Sequence, residues 1–288
     1  MTIVNVRGVE IRPIDAALGA EIRNLDATQR VHPDVLLAVR RALLDHHVLV
    51  IKDQDLNEAQ FKTFATSFGA IFQNPSDIPV LASAAQDNGV APDIVRISNV
   101  DGYTGTGELS AHADHRWTPY PSAGSLLYAL EVPSKGGTTS FTNLNLVYET
   151  LDAQLKAQIE GLELITYNPF LRGPNDPRPR YRDPGEELIS PTYPHPLVST
   201  HPESGKKVLA LCAATEVEVV GLPHAAGVEL VEKLRGHLTQ PRFVYEHRWS
   251  VGDIVYWDNR AVLHARTAFD PNERRVLRRI SLAGGRPF

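Results

Sequence analysis

The chain has 288 residues, 42% of them hydrophobic and 22% charged, with a formal net charge of −5. That composition suits an ordinary globule with enough apolar side chains to bury a core, and it excludes a disordered or collagen-like chain. The acidic balance gives no reason to expect nucleic acid or an anionic membrane surface as a partner, and no apolar run reaches membrane length.

Residues 33–47 predict a helix with Leu36, Val39, Leu43 and Leu44 on one stripe, and residues 48–52 a buried strand. His46 and His47 sit where histidines cap a helix C-terminus more often than they bind metal. A second helix is expected over residues 57–68, where Phe61, Phe64, Ala65 and Phe68 recur at helical spacing and read as core. Strands follow at 94–99, 125–132 and 140–143, then a helical connection over 146–159. A hairpin turns at residues 203–206 between strands at 197–200 and 207–211, and a helix at 226–238 precedes three last strands. Two stretches, 73–93 and 168–196, are rich in Pro, Gly, Asp and Asn and read as lid loops. The second carries Arg172, Arg178, Arg180, Tyr181 and Arg182, a set suited to closing over an acidic ligand or, equally, to a solvated loop. Many short strands with long connections predict a mainly β chain with flanking helices, a double-stranded β-helix or jelly roll. No repeat or linker divides the sequence, so residues 1–288 are expected to form one domain.

The single cysteine, Cys212, lies in an apolar run, cannot form an internal disulfide and reads as a small buried hydrophobe. The N-terminus lacks the charged-then-apolar pattern of a secretory leader, and a reducing cytoplasm is the expected location.

His112-Ala113-Asp114, taken with the distant His264, supplies two imidazoles and one carboxylate. That is the donor set of a facial Fe(II) site, which leaves three coordination positions open for a co-substrate and oxygen. In extended backbone the side chains at i and i+2 share a face, so His112 and Asp114 aim at one metal while Ala113 turns away. His264 ends the apolar run 253–264, which delivers it to the end of a sheet. Alone, the tripeptide is a weak signal, because a surface loop with a salt-bridged histidine carries the same letters. His115 is expected to face away from Asp114 and is left out of the ligand set. Trp257 and Asn259 are expected to support the strand that presents His264. His195, His201, His224, His237 and His247 show no ligand spacing.

Residues 274–282 read as a strand carrying two arginine pairs, with Arg275, Leu277 and Arg279 on one face. A guanidinium fork matches a carboxylate bidentately, so two arginines on one face point to two anions. An edge strand decorated with solvated charges is the alternative.

These features occur in a longer series: Gly19-Ala20-Glu21-Ile22, residues 45–54 and 64–69, His112-Ala113-Asp114, residues 133–139, Trp257-Asp258-Asn259-Arg260 through His264, and the two arginine pairs. In that order they resemble the taurine dioxygenase and 2,4-dichlorophenoxyacetate dioxygenase family of Fe(II)/2-oxoglutarate oxygenases. The resemblance runs from about residue 10 to the C-terminus.

It implies that His112, Asp114 and His264 bind iron, that Arg275 holds the C5 carboxylate of 2-oxoglutarate with help from the Thr139 hydroxyl, and that Arg279 receives the acidic group of the prime substrate. Asn74, Asp77 and Glu108 stand near positions where relatives contact substrate. The implied reaction couples oxidative decarboxylation of 2-oxoglutarate by O2 to hydroxylation, with cleavage where the new hydroxyl adjoins oxygen, nitrogen or sulfur. Related halogenases have a small residue at the carboxylate position; Asp114 argues against halogenation.

The leading expectation is a dioxygenase, a homo-oligomer, acting on a small carboxylate or sulfonate. A biosynthetic oxygenase that hydroxylates, desaturates or cyclises an amino-acid-like or natural-product substrate is the runner-up. A non-catalytic jelly-roll binding protein would be favoured by loss of a triad residue or Arg275, and none is lost. A zinc hydrolase would not need the paired arginines.

Overall fold

The computed structural model describes residues 2–73, 92–100, 104–169, 180–185, 191–213 and 215–288. The first half of the chain supplies β1 (Val4–Val6), β2 (Val9–Pro13), β3 (Ala20–Arg23), α1 (Pro33–His46), β4 (Val48–Ile51), α2 (Glu58–Thr66), β5 (Val95–Ser98), β6 (Leu109–His112), β7 (Gly124–Glu131), β8 (Thr139–Asn143), α3 (Leu144–Glu149) and α4 (Ala153–Ile159). The second half supplies β9 (Glu163–Thr166), β10 (Pro194–Pro196), β11 (Val198–Thr200), β12 (Lys207–Leu209), β13 (Val217–Val219), α5 (His224–Leu238), β14 (Val244–His247), β15 (Ile254–Asp258), β16 (Val262–Arg266) and β17 (Val276–Leu282).

The two larger sheets are an eight-stranded one in the order β1-β2-β3-β4-β15-β7-β17-β5 and a four-stranded one in the order β14-β8-β16-β6, beside a three-stranded β10-β9-β13 and a two-stranded β11-β12. Strand side chains alternate between faces, and each of the larger sheets is covered on both. Val48 and Val50 of β4 therefore enter the core between the sheets, with Phe141, Val255, Trp257, Val262 and Leu277. Leu49 and Ile51 enter the core beneath α1 and α2, with Val39, Leu43, Phe61 and Phe64. On the far side Leu263 of β16 packs under α3, α4 and α5 with Leu144, Ile159, Leu230 and Cys212. This is the expected jelly roll with flanking helices. The site lies between the sheets, where β6 and β16 face β17.

Local chemistry fixes the helix ends. α1 has Pro33 in its first turn, and His47 closes it in the left-handed region (φ 62°), donating its N–H to Leu43 O at 2.7 Å. α2 starts with a capping box in which Asn57 Oδ1 accepts from Gln60 N and Gln60 Oε1 accepts from Asn57 N, both at 2.9 Å. The aromatic stripe of that helix is core, as expected.

Several expectations are corrected. The connection over 146–159 is two helices, because Asp152 Oδ1 accepts from Leu155 N at 2.7 Å and starts a new one. Four strands, not three, follow α5, since β14 adds an edge to the smaller sheet. The three N-terminal strands were not expected, their alternation being too short to stand out. Of the lid arginines, Arg172 and Arg178 fall outside the described residues. Arg180 and Arg182 are not held ready for a ligand: Arg180 pairs with Glu216 at 3.4 Å and Arg182 with Glu218 at 3.8 Å. Most of the first lid segment also falls outside the described residues. No described helix is long and apolar enough to cross a membrane.

Asn57→Ala removes one half of the capping box and should lower the free energy of unfolding by about 1 kcal/mol in urea melts. An unchanged midpoint would mean that the cap does not hold α2.

Candidate active site

β6 and β16 are antiparallel neighbours, and their register sets His264 directly opposite His112. The two imidazole rings lie 4.3 Å apart between centroids. β6 ends at His112, so Asp114 reaches the same place from the turn that follows rather than from a continued strand. His112 Nε2 lies 3.7 Å and His264 Nε2 3.9 Å from Asp114 Oδ1, and one donor atom from each residue falls within 4.8 Å of the others. His112 Nδ1 sits 2.8 Å from Ser110 O, which makes it the protonated nitrogen and leaves the Nε2 lone pair for a metal. Burial, then the neighbouring His112, pushes His264 down to about 3 and keeps it neutral. Trp257 lies beside it, tilted by 48°, with ring centroids 4.9 Å apart.

Asn259 holds the Asp114 backbone on both sides, its Oδ1 accepting from Asp114 N at 2.9 Å and its Nδ2 donating to Asp114 O at 2.8 Å. This corrects the expected role of Asn259: it orients the carboxylate ligand, not the strand of His264. The turn that carries it is pinned by buried Asp258, which accepts from His201 Nε2 at 2.8 Å and from Arg260 NH2 at 2.7 Å. Arg279 NH1 lies 3.3 Å from each Asp114 oxygen. Burial alone would raise the Asp114 carboxyl, but Arg279 first, then the imidazoles, outweigh it and hold the group well below the usual carboxylate range. His115 is outside the triad, as expected. It stacks on Phe72 at 4.1 Å, with its Nδ1 3.0 Å from Ser122 Oγ.

Arg275 is the centre of a second polar cluster, with Gly137 and Asn99. Arg275 is 3% exposed and has no carboxylate partner among the described residues. Its Nε donates to Gly137 O at 3.1 Å and its backbone N–H to Asn99 Oδ1 at 2.8 Å. Burial, then the charge of Arg266, pushes the guanidinium down to about 9. Gly136 and Gly137 both have positive φ, and a Cβ at Gly136 would lie 2.2 Å from Ala268 O, so the turn admits no side chain there. Thr139 follows, 4% exposed, with its Oγ1 accepting from Trp249 Nε1 at 2.9 Å. The register between β17 and β7 shifts at Val276 and Leu277, where β7 carries one extra residue, Leu130, while β17 keeps an unbroken register against β5.

Residues 10–281 match the family model described as taurine catabolism dioxygenase TauD, TfdA family. The chain belongs to that family. It is 33% identical to an alpha-ketoglutarate-dependent 2,4-dichlorophenoxyacetate dioxygenase of Cupriavidus pinatubonensis over 285 residues, covering 94% of this chain and 96% of that one. To an alkylsulfatase of Acinetobacter baylyi it is 30% identical, covering 96% of this chain and 85% of that one. The crystal structure of AAD-2 in complex with Mn(II) and N-oxalylglycine superposes with a TM-score of 0.77 at 28% identity, covering 100% of this chain and 99% of that one. The chain is thus a 2-oxoglutarate-dependent non-haem iron dioxygenase of this family, using Fe(II) and O2 (alpha-ketoglutarate being 2-oxoglutarate).

The residues present fit those groups. Two imidazoles and one ionised carboxylate with donor atoms within 4.8 Å of one another suit Fe(II), a set of three that leaves coordination positions open. A buried guanidinium without an acid among the described residues suits a carboxylate brought by a ligand. Of the remaining expected contacts, Glu108 is exposed just before β6, and Asn74 and Asp77 fall outside the described residues. Trp249 and the Asp258–His201 pair had no local signal, because their partners are 110 and 57 residues away.

Asn259→Ala should weaken binding of Mn(II) or Fe(II) about 10- to 100-fold in a direct titration, as loss of a ligand-orienting partner does. Unaltered metal affinity would show that the Asn259 clamp is dispensable.

Proposed function

We propose that the protein hydroxylates a small anionic organic substrate, a carboxylate or a sulfur oxyacid, with cleavage where the new hydroxyl lies next to a heteroatom. The observation that carries this reading is the pair of inward arginines beside a His112–Asp114–His264 triad, one of them buried with no acid of its own among the described residues. The names of the relatives agree, since they include a phenoxyacetate dioxygenase and an alkylsulfatase.

In this reading His112, Asp114 and His264 hold the iron. Bound iron supplies activation of O2, coupled to oxidative decarboxylation of 2-oxoglutarate to succinate and carbon dioxide. Arg275 and Thr139 hold the carboxylate of 2-oxoglutarate remote from the metal. Trp249 occupies the Thr139 oxygen as a donor, so the hydroxyl proton turns toward the co-substrate. Arg279 keeps the Asp114 carboxylate ionised and, with its Nε buried and unpartnered, anchors the acidic group of the prime substrate beside the metal. Glu108 and Asn74 complete the substrate contacts on the strength of the family resemblance. The stacked Phe72 and His115 give the approach an apolar wall.

Arg275→Ala should raise KM for 2-oxoglutarate about 10- to 100-fold, the loss of one charge-assisted contact, with little effect on KM for the prime substrate. Arg279→Ala should do the reverse. Succinate formation is measured across aryloxyacetates, sulfonates, alkyl sulfates and amino acids. If both variants move the constant of the same ligand, the assignment of two anions to two arginines is wrong. Stimulation by amino acids alone would replace this substrate class with the biosynthetic one.

A further inference from the structure

We infer that Arg266 is a second guanidinium of the co-substrate pocket, acting with Arg275 on the carboxylate remote from the metal and so selecting 2-oxo dicarboxylates over 2-oxo monocarboxylates. The inference rests on the reading of Arg275 given above and extends it to a residue outside the recognised motifs.

Four observations converge on it. First, Arg266 is two residues after His264 on β16, so both side chains leave the same face of the strand, toward the space between the sheets. Second, β16 and β8 set Arg266 directly opposite Thr139, just as they set His264 opposite Phe141, and cross-strand pairs lie side by side on one face. Third, the Phe269 ring lies 5.4 Å from Arg266 Cζ and 6.0 Å from Arg275 Cζ, so the two guanidiniums share one aromatic wall. Fourth, Arg266 Nε is buried with no hydrogen-bond partner among the described residues. Its NH2 donates to Gly105 O at 2.8 Å and Gly107 O at 2.5 Å, both neutral carbonyls.

Two neighbouring cations, one of them fully buried, with no carboxylate near either among the described residues, leave an electrostatic cost that an entering anion relieves. A single carboxylate has two oxygens and about four lone-pair sites, enough for Arg275, Thr139 and the Arg266 Nε–H together. The Arg266 tether adds a consequence. The carbonyls it grips belong to the segment leading into β6, which carries Glu108 and His112, so the cation that meets the co-substrate also holds the approach to the metal.

The test is calorimetric binding to anaerobic Fe(II)-loaded protein, with 2-oxoglutarate and with 2-oxopentanoate, which has the same chain without the distal carboxylate. Arg266→Met should weaken 2-oxoglutarate about 10-fold and 2-oxopentanoate less than 2-fold. Arg266→Lys, which keeps the charge and loses the fork, should fall between and serves alone if the methionine variant does not fold. Equal losses for both ligands, or no loss for either, would overturn the inference and leave Arg266 as a tether of the 105–107 segment. Arg275→Met is the control for the underlying reading. If it weakens 2-oxoglutarate while Arg266→Met does not, only the inference fails; if it leaves 2-oxoglutarate binding unchanged, the pocket itself has been misassigned.

Discussion

The antiparallel pairing of β6 with β16 places His264 across from His112, and the chemistry of the site depends on that register. A slip of one residue would turn both imidazoles to the opposite face and bring Ala111 or Ala113 and Leu263 or Ala265 into their place. The register is held by burial: Val262 belongs to the core between the sheets and Leu263 to the core on the other side, so the strand cannot shift without exposing one and burying a misfit in the other. Stability and metal binding therefore draw on the same alternation. Asp114 lies beyond the strand and needs a different device, the two hydrogen bonds from Asn259 to its backbone.

Charge is arranged around that frame with little compensation from the protein. Asp114 is the acid at the centre, faced by Arg279 and two imidazoles. Arg275 is buried, and Arg266 beside it finds only carbonyls among the described residues. Burying ions without partners costs several kcal/mol each, so such a pocket is stable only where the cost is spread over a large core or offset by ligands. The three apolar clusters supply the first. Iron and 2-oxoglutarate supply the second, which predicts that the two ligands and the folded state reinforce one another.

Much of this was legible in the sequence. The H-x-D tripeptide, a weak signal alone, pointed to the chemistry together with the distal histidine and the paired arginines through the ordered series of motifs that resembles the family. The strong periodicity of residues 33–52 and 57–68 gave α1, β4 and α2. What could not be read were contacts made by folding alone. Trp249 meets Thr139 across 110 residues, Arg266 meets Arg275 through a shared aromatic ring, and His201 finds Asp258 in the core. Short edge strands such as β14 have too few residues for alternation to register, and Asp152 broke a helix that hydrophobic spacing alone would have continued. The i and i+2 argument for His112 and Asp114 named two residues whose donor atoms do converge, although the strand stops between them.

The most direct measurement is the affinity of 2-oxoglutarate for the anaerobic protein with and without Fe(II), in the native chain and in Asp114→Ala. If the triad holds the metal and Arg275 lies within reach of it, Fe(II) tightens 2-oxoglutarate binding in the native chain and has no effect in the variant. Binding that is equally tight with and without Fe(II), or an Fe(II) effect that survives loss of Asp114, would contradict the assignment of His112, Asp114 and His264 as the metal centre.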